Sequence, residues 1–402
     1  MTAGRAADRR VSVSASMHPT PAAAPAPPVE QPARMRILHA VCHSHRRGSE
    51  MAALELGGEL DRSGHRNRLV AMGPALDGGR DPDLPPLGRS WREGPPELVS
   101  LAWRLRRLLS EEAVDVVLAH GSWPAAVAAL AVPRHGPLLV WQRIGMLPDK
   151  VWGPVRRRWW GTVARRCHAS VVLTADQEVE LRRLGFDGPV WFVPNFRNPG
   201  RFRDVDRDAA ADSLRVEIGV SAETHLIGVV GALSPEKRFD RALEVLALLA
   251  AQGCSAHLVV AGSGQMRAEL EAHADRLGVA ESVTLLGHRD DMERILAGVD
   301  LALLTSETEC MPGVSVEALM AGCPMVTVPV VGVDRVVEHG ATGLVLDGFE
   351  PPEMADAVAR LLTDDESRAA MSREARARTD RFSASTAASV YADRLIAALA
   401  GR

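Results

Sequence analysis

From Met35 onward, short apolar runs alternate with longer stretches in which apolar residues recur every three or four positions. MRILHAV (Met35 to Val41), Arg68 to Met72, Val114 to Ala119, Leu138 to Gln142 and Ser170 to Thr174 are runs of strand length and predict strands. Between them, Ser49 to Arg62, Glu97 to Leu109 and Val151 to Cys167 predict helices. Residues 195–222 are polar and irregular, with a Pro/Gly break in NFRNPGRF, and a linker is predicted near 195–215. The alternation then restarts with HLIGVVGA (His225 to Ala232). It continues through His257 to Gly262, Ser282 to Gly287, Leu301 to Thr305, Met325 to Val330 and Gly343 to Asp347. Strands alternating with helices predict parallel sheets covered on both faces. The expected fold is therefore α/β: two doubly wound, Rossmann-like units, residues 35–200 and 201–381, facing a central cleft. Ligands of such sheets bind outside the C-terminal strand ends.

Composition narrows the class. A chain of 402 residues exceeds one ordinary core, which agrees with two units. The net charge of −4 argues against a nucleic-acid partner. Five scattered cysteines without a CxxC pair predict a reduced, cytoplasmic protein without a zinc site. Residues 1–34 form an Ala/Pro/Ser/Arg-rich stretch without the apolar core of a secretory signal, and they read as a disordered tail. Their Arg and Ser content leaves a transit peptide open, and Met35 reads as an alternative start. No apolar run reaches the roughly 18 residues a spanning helix needs.

The densest chemistry lies in SETECMPGVSVEALMAGCP, Ser306 to Pro324. An apolar strand precedes it, and Gly322 with Pro324 signals a helix end. This places Glu309 in the loop at a strand's C-terminal end and Glu317 early in a helix that starts near Gly313. The backbone N–H groups of Gly313, Val314 and Ser315 would then point at an anion, above all phosphate. Carboxylates beside a phosphate cradle suit a ligand that also offers hydroxyls, such as a nucleotide sugar. Three more loops share that sheet edge. Gly231 to Arg238 offers Lys237 and Arg238 to a diphosphate, and Gly262-Ser263-Gly264 permits close backbone approach. His288-Arg289 would meet a base or phosphate. In the first unit, Arg46-Arg47-Gly48-Ser49-Glu50 enters a helix, and His120 ends a strand facing the cleft.

Other signals carry less. Asp81-Pro82-Asp83 lacks the flanking strand a metal-binding DxD needs, and Asp290-Asp291 reads as a helix N-cap pair. His43 and His45 have no partners at metal spacing, so no metal is expected. Arg156-Arg157-Arg158-Trp159-Trp160 fits a peripheral membrane contact, an acidic partner, or an ordinary helix with a mixed face.

Taken in order, these motifs resemble the retaining GT-B glycosyltransferases of family 4 over Met35 to Leu399. Glu309 and Glu317 match that family's E-x7-E motif, and GALSPEK (Gly231 to Lys237) resembles its diphosphate loop. AGSG, LGHRDDM, RRGSE, DVVLAHG (Asp115 to Gly121) and FVPN (Phe192 to Asn195) resemble further family segments. RFSASTAASVYADRL resembles the terminal helix, residues 382–402, that returns to the first, acceptor-side domain. The resemblance implies a retaining, metal-independent hexosyl transfer without a cofactor. The donor would be a nucleotide sugar, UDP ahead of GDP. The acceptor, a small molecule, glycan or lipid-linked sugar, stays unidentified. Glu309 would hold donor-sugar hydroxyls, Glu317 the ribose, and Lys237 with the Gly313 to Ser315 backbone the diphosphate. His288 and Arg289 would lie beside the base, and His120 would meet sugar and acceptor. One position departs: many relatives carry Arg where this chain has Ala232, and Arg238 is the candidate substitute. A nucleotide-sugar epimerase on the same fold, or a non-catalytic partner subunit, are the alternatives.

Overall fold

The computed structural model describes residues 34–402 except 46–47, 76–80, 82 and 89–93, and the side chains of 149 and 150. The expectation for the tail, apart from Arg34, and that for Arg46 and Arg47 lie outside the described residues.

The first sheet is built from β1 (Arg36–His43), β2 (Arg66–Gly73), β3 (Val116–His120), β4 (Leu138–Gln142), β5 (Ala169–Val172) and β6 (Val190–Phe192). The intervening helices are α1 (Gly48–Arg62), α2 (Pro95–Glu111), α3 (Ser122–Ala131), α4 (Pro154–Arg166) and α5 (Ala175–Arg183). Two helices, α6 (Gly200–Arg203) and α7 (Arg207–Ile218), lead to the second sheet. Its strands are β7 (His225–Val230), β8 (Ala256–Ala261), β9 (Val283–Gly287), β10 (Leu301–Leu304), β11 (Met325–Thr327) and β12 (Gly343–Val345). Between and after them run α8 (Phe239–Ala251), α9 (Arg267–Leu277), α10 (Met292–Gly298), α11 (Gly313–Ala321), α12 (Pro351–Thr363), α13 (Asp365–Ala377) and α14 (Ala384–Ala400).

The strands pair in parallel, in the orders β2-β1-β3-β4-β5-β6 and β12-β11-β10-β7-β8-β9. The central strands are buried end to end because helices cover both faces, which is why they read as unbroken Val/Ile/Leu runs. In each sheet the strand order reverses once, between β1 and β3 and between β7 and β10. A crevice opens outside the C-terminal strand ends at such a switch. The end of β1, Gly48 at the start of α1 and His120 flank the first crevice, and the loops after Val230 and Leu304 flank the second.

The chain crosses between the sheets twice, and the crossings pair with each other. Arg197 donates its N–H to the Phe382 carbonyl (3.0 Å), and Ala384 donates to the Arg197 carbonyl (2.9 Å). Helix α14 then lies on α1, where Ala387, Ala388, Tyr391 and Leu395 share a core with Leu56 and Leu60. No described helix is long and apolar enough to cross a membrane.

Three sequence readings need correction. Residues 195–222 are not irregular: α7 occupies Arg207–Ile218, capped by the Asp206 carboxylate on the N–H groups of Asp208 and Ala209. It looks polar because only Ala210 and Leu214 are buried. The helix expected over 151–167 breaks at Gly153-Pro154 into a short 3-10 turn (Asp149–Trp152) and α4. The strand expected over 325–330 ends at Thr327. On α4, Arg156, Arg157 and Arg158 are exposed, whereas Trp159 and Trp160 pack partly against the core.

Candidate functional site

A cavity of about 670 Å³ opens at the second crevice and reaches the start of α1. The loop after β7 contributes Gly231, Ala232 and Lys237, and the loop after β8 contributes Gly262 and Ser263. His288 and Arg289 follow β9, and Gly313, Val314 and Glu317 stand on the first turns of α11. From the first half come Gly48 and Met51, and from the crossing segment Arg197 and Arg201. Eight of the predicted residues thus line one cavity, Gly48, Lys237, Gly262, His288, Arg289, Gly313, Val314 and Glu317, and the departing Ala232 joins them.

Two loops are stitched together at the strand ends. Thr305 Oγ1 donates to the Lys237 carbonyl (3.0 Å), and the Glu307 N–H donates to the Glu236 carbonyl (2.8 Å). Lys237 Nζ then meets Glu309 Oε1 at 2.5 Å, and Ser306 Oγ donates to the same oxygen at 2.8 Å. Glu309 is not on the cavity wall itself. It stands behind Lys237, and its bonds use one carboxylate oxygen only. Helix α11 begins at Gly313 and closes on Gly322 in the left-handed conformation (φ 66°), as its sequence implies.

Three predicted residues, Arg238, Gly264 and Ser315, are placed differently from the expectation. Arg238 faces a separate cavity, its guanidinium held by both oxygens of Asp240 (2.8–3.1 Å), so it does not substitute for the charge missing at Ala232. Gly264 serves loop packing: a Cβ there would lie 2.4 Å from the Leu233 carbonyl oxygen. Gly262 is similarly confined, 1.7 Å from the Gly231 oxygen, although it also lines the cavity. Ser315 is buried; its N–H turns back to the Pro312 carbonyl (3.2 Å) and its hydroxyl to Met325 Sδ. The helix end therefore presents Gly313 and Val314 rather than three residues.

At the outer rim, His288 is half-exposed and Arg289 is committed to Asp291 and Glu217. Those bonds raise the Arg289 pKa and hold the Asp291 carboxyl below the usual range. Asp291 precedes α10 but makes no capping bond, because its carboxylate binds Arg289 and Arg294 instead. Asp81 accepts the Asp83 N–H within a turn, and no described cluster of His, Cys, Asp or Glu is arranged to hold a metal ion.

His120 was expected to face the cleft, but it is 3% exposed and does not line the cavity. Its ring stacks on His39, with Nε2 at 3.0 Å from His39 Nδ1. The other nitrogen of His39 lies 2.9 Å from Asn67 Oδ1, while Asn67 Nδ2 donates to Asp61 (3.0 Å). The carboxylate accepts only, so it fixes the Asn67 amide; His39 Nε2 then carries the proton, and His120 must donate from Nε2. Nδ1 of His120 is left as an acceptor. Burial keeps both rings neutral, lowering His39 to about 4 and His120 well below its ordinary value, with His39 adding to the latter.

Sequence reasoning missed Arg197. Its side chain is 2% exposed, yet it lines the cavity. Nε donates to Glu317 Oε1 (2.5 Å), and Nη1 donates to Asn195 Oδ1 (3.2 Å) and the Phe196 carbonyl (2.8 Å). Burial opposes its charge, but Glu317 and Glu55 outweigh that and raise its pKa. Three arginines within seven residues of a supposed linker, Arg197, Arg201 and Arg203, were the available signal.

The chain is similar to known proteins in sequence and in fold. The profile of "Glycosyltransferase Family 4" matches residues 46–201, and that of "Glycosyl transferases group 1" matches residues 211–378. Alpha-D-kanosaminyltransferase of Streptomyces kanamyceticus is 30% identical over 304 residues, 71% of this chain and 77% of its own length. D-inositol 3-phosphate glycosyltransferase of Corynebacterium jeikeium is 30% identical over 230 residues, 53% of this chain and 54% of its own length. The structure of Anabaena HepE in complex with UDP-glucose superposes with a TM-score of 0.76 at 22% identity, over 90% of this chain and all of that one. WaaG, a glycosyltransferase involved in lipopolysaccharide biosynthesis, gives 0.73 at 19% identity, over 89% and 99%. At such identities these likenesses establish the two-sheet GT-B fold.

Proposed function

The chain belongs to family 4 of the glycosyltransferases, and from that premise we propose that it transfers a sugar from a nucleotide-sugar donor with retention and without a metal. UDP is placed ahead of GDP as the nucleotide, supported by the UDP-glucose bound to the HepE neighbour. The observation that carries the reading is the convergence of Lys237, the Gly313 end of α11 and Glu317 on one cavity. Lys237 and the α11 N–H groups receive the diphosphate and stabilise it as it leaves, in place of a divalent cation. Glu317 has one oxygen on Arg197 and offers the other to the ribose. Glu309 has one oxygen on Lys237 and Ser306, and its other oxygen reaches the donor sugar once Lys237 turns to the diphosphate and uncovers it. His288 and Arg289 border the base at the rim.

In this reading residues 201–381 hold the donor and residues 35–200 the acceptor, with 382–402 returning to the first domain. Gly48, where a side chain would meet nothing within 4 Å, leaves room at the α1 end for the sugar. His120 serves the sugar and acceptor through Nδ1, once the first crevice admits them. The test is release of free nucleotide from a panel of UDP- and GDP-sugars, with and without added acceptor sugars, and NMR of the product's anomeric centre. Turnover of at least one donor with an axial-to-axial or equatorial-to-equatorial outcome supports the reading. Inversion, or no turnover of any donor with any acceptor, removes it.

A further inference from the structure

Arg197 stands where no donor-binding role is assigned above, and its surroundings point to one. It comes from the crossing segment rather than from either sheet. Its guanidinium lies along the face of α11 that carries Gly313 and Glu317. A Cβ on Gly313 would sit 2.2 Å from Arg197 Nη2, so that nitrogen rests against the first residue of the helix. Nε and Nη1 are occupied by Glu317, Asn195 and Phe196, whereas Nη2 makes no hydrogen bond. Arg197 is 2% exposed and lines the cavity, and its guanidinium keeps one nitrogen without a protein acceptor, which leaves that nitrogen for an acceptor from outside the protein. The helix end beside it favours an anion. The facing loop offers that anion Lys237 but no charge at Ala232.

We propose that Arg197 is a donor-binding cation: Nη2 receives the diphosphate of the nucleotide sugar at the start of α11, while Nε holds Glu317 against the ribose. This deepens the reading above and rests on it. One planar side chain then orients two parts of the donor, which a lysine on the same stem does not do. Because Arg197 also pairs through its backbone with Phe382 and Ala384, the donor touches the segment that joins the two halves.

The test compares a nucleoside with its diphosphate, uridine with UDP first and guanosine with GDP second, by titration against the full-length protein. The affinity ratio of the two ligands measures what the phosphates add. Arg197→Gln should lower that ratio by about tenfold or more, the effect of losing a charge-assisted bond. Adding Ala232→Arg to Arg197→Gln should restore part of it. A residue that only positions Glu317 would cost nucleoside and diphosphate alike, and an unchanged ratio overturns the proposal. If Arg197→Gln does not fold, Ala232→Arg alone decides. With Arg197 present it should change the ratio by less than about threefold, since the cation is already supplied. A larger gain shows that the diphosphate lacks one and overturns the proposal. A wild-type protein that binds none of these ligands fails the donor reading itself, which is a separate result.

Discussion

The two crevices of this molecule are built on the same topology and finished in opposite ways. At the β7/β10 switch, charged groups are braced from behind and open in front: Lys237 on Glu309, Glu317 on Arg197. At the β1/β3 switch, the one predicted reactive group is sealed: His120 bonds His39, which bonds Asn67, which bonds Asp61. The first arrangement suits a ligand with fixed charge, because preorganised cations and helix ends meet a diphosphate without rearranging. The second suits a neutral group whose protonation and tautomer must not vary. One fold thus carries a second crevice lined with charge and a first crevice whose histidine is buried and neutral, the difference on which the proposed division into donor and acceptor halves rests. The boundary between them is the segment from Asn195 to Arg201, which contacts both through Arg197 and Glu55.

Lys237→Ala should break the donor half most severely. It removes the cation from the departing diphosphate and leaves Glu309 without its partner. Turnover should fall by about 10²–10³-fold, the cost of one transition-state donor. Steady-state kinetics with the best donor checks this, and a loss under about threefold would place the leaving group elsewhere.

Glu317→Ala comes next. A hydrogen bond to a charged group is worth about 1.5–3 kcal/mol, so free nucleoside diphosphate should bind about 10–100-fold more weakly. Calorimetry on the folded variant reads this directly; unchanged affinity would mean that the ribose lies elsewhere.

His120→Ala sharpens the contrast from the other side. Nucleotide affinity should stay within about twofold, because the donor half is intact, while turnover should drop by about tenfold through one lost hydrogen bond. Equal losses in both would mean that the two crevices are not divided as described.

The buried histidines also predict a pH dependence of stability. Their folded pKa values are depressed, so both rings are neutral in the fold, while an unfolded histidine protonates near pH 6.5. The unfolded chain therefore binds more protons as pH falls, and stability, complete above about pH 6.5, declines below it. For His39 the decline runs from 6.5 to about 4, at up to about 1.4 kcal/mol per pH unit. In His39→Gln, urea titrations at pH 7, 6 and 5 should give a shallower slope by about that amount; the wild-type slope in the variant would show that His39 is not held neutral.

The smallest expected effect is none. Activity should survive excess EDTA, since the leaving group relies on Lys237 and helix donors. Abolition by EDTA with recovery on Mn²⁺ would break the charge argument.

The second crevice was more legible in the sequence than the first, for a physical reason. Helix starts, Gly turns and strand ends are local, so Gly313, Lys237 and Glu317 follow from spacing along a few residues. Arg197 was not legible because its partner Glu317 lies 120 residues away, and only the closing of two sheets brings them together. His120 was placed at the correct strand end but given the wrong facing. Which nitrogen a ring exposes depends on His39 and Asn67, on two other strands. Arg238 misled because its neighbour Asp240, two positions on, captures it. The linker was misread because α7 hides only Ala210 and Leu214, too few apolar positions to show a period.

The claim that matters most is that the nucleotide donor is held at the second crevice with the crossing segment, independently of His120. Thermal unfolding of the wild-type protein with a panel of nucleosides, nucleoside diphosphates and nucleotide sugars tests it most directly. A binder at a hundredfold excess over its Kd should add about 2.7 kcal/mol of stability. The account predicts such a shift for UDP or GDP, retained in His120→Ala and reduced in Glu317→Ala. No shift with any of them, or a shift lost in His120→Ala and kept in Glu317→Ala, would contradict it.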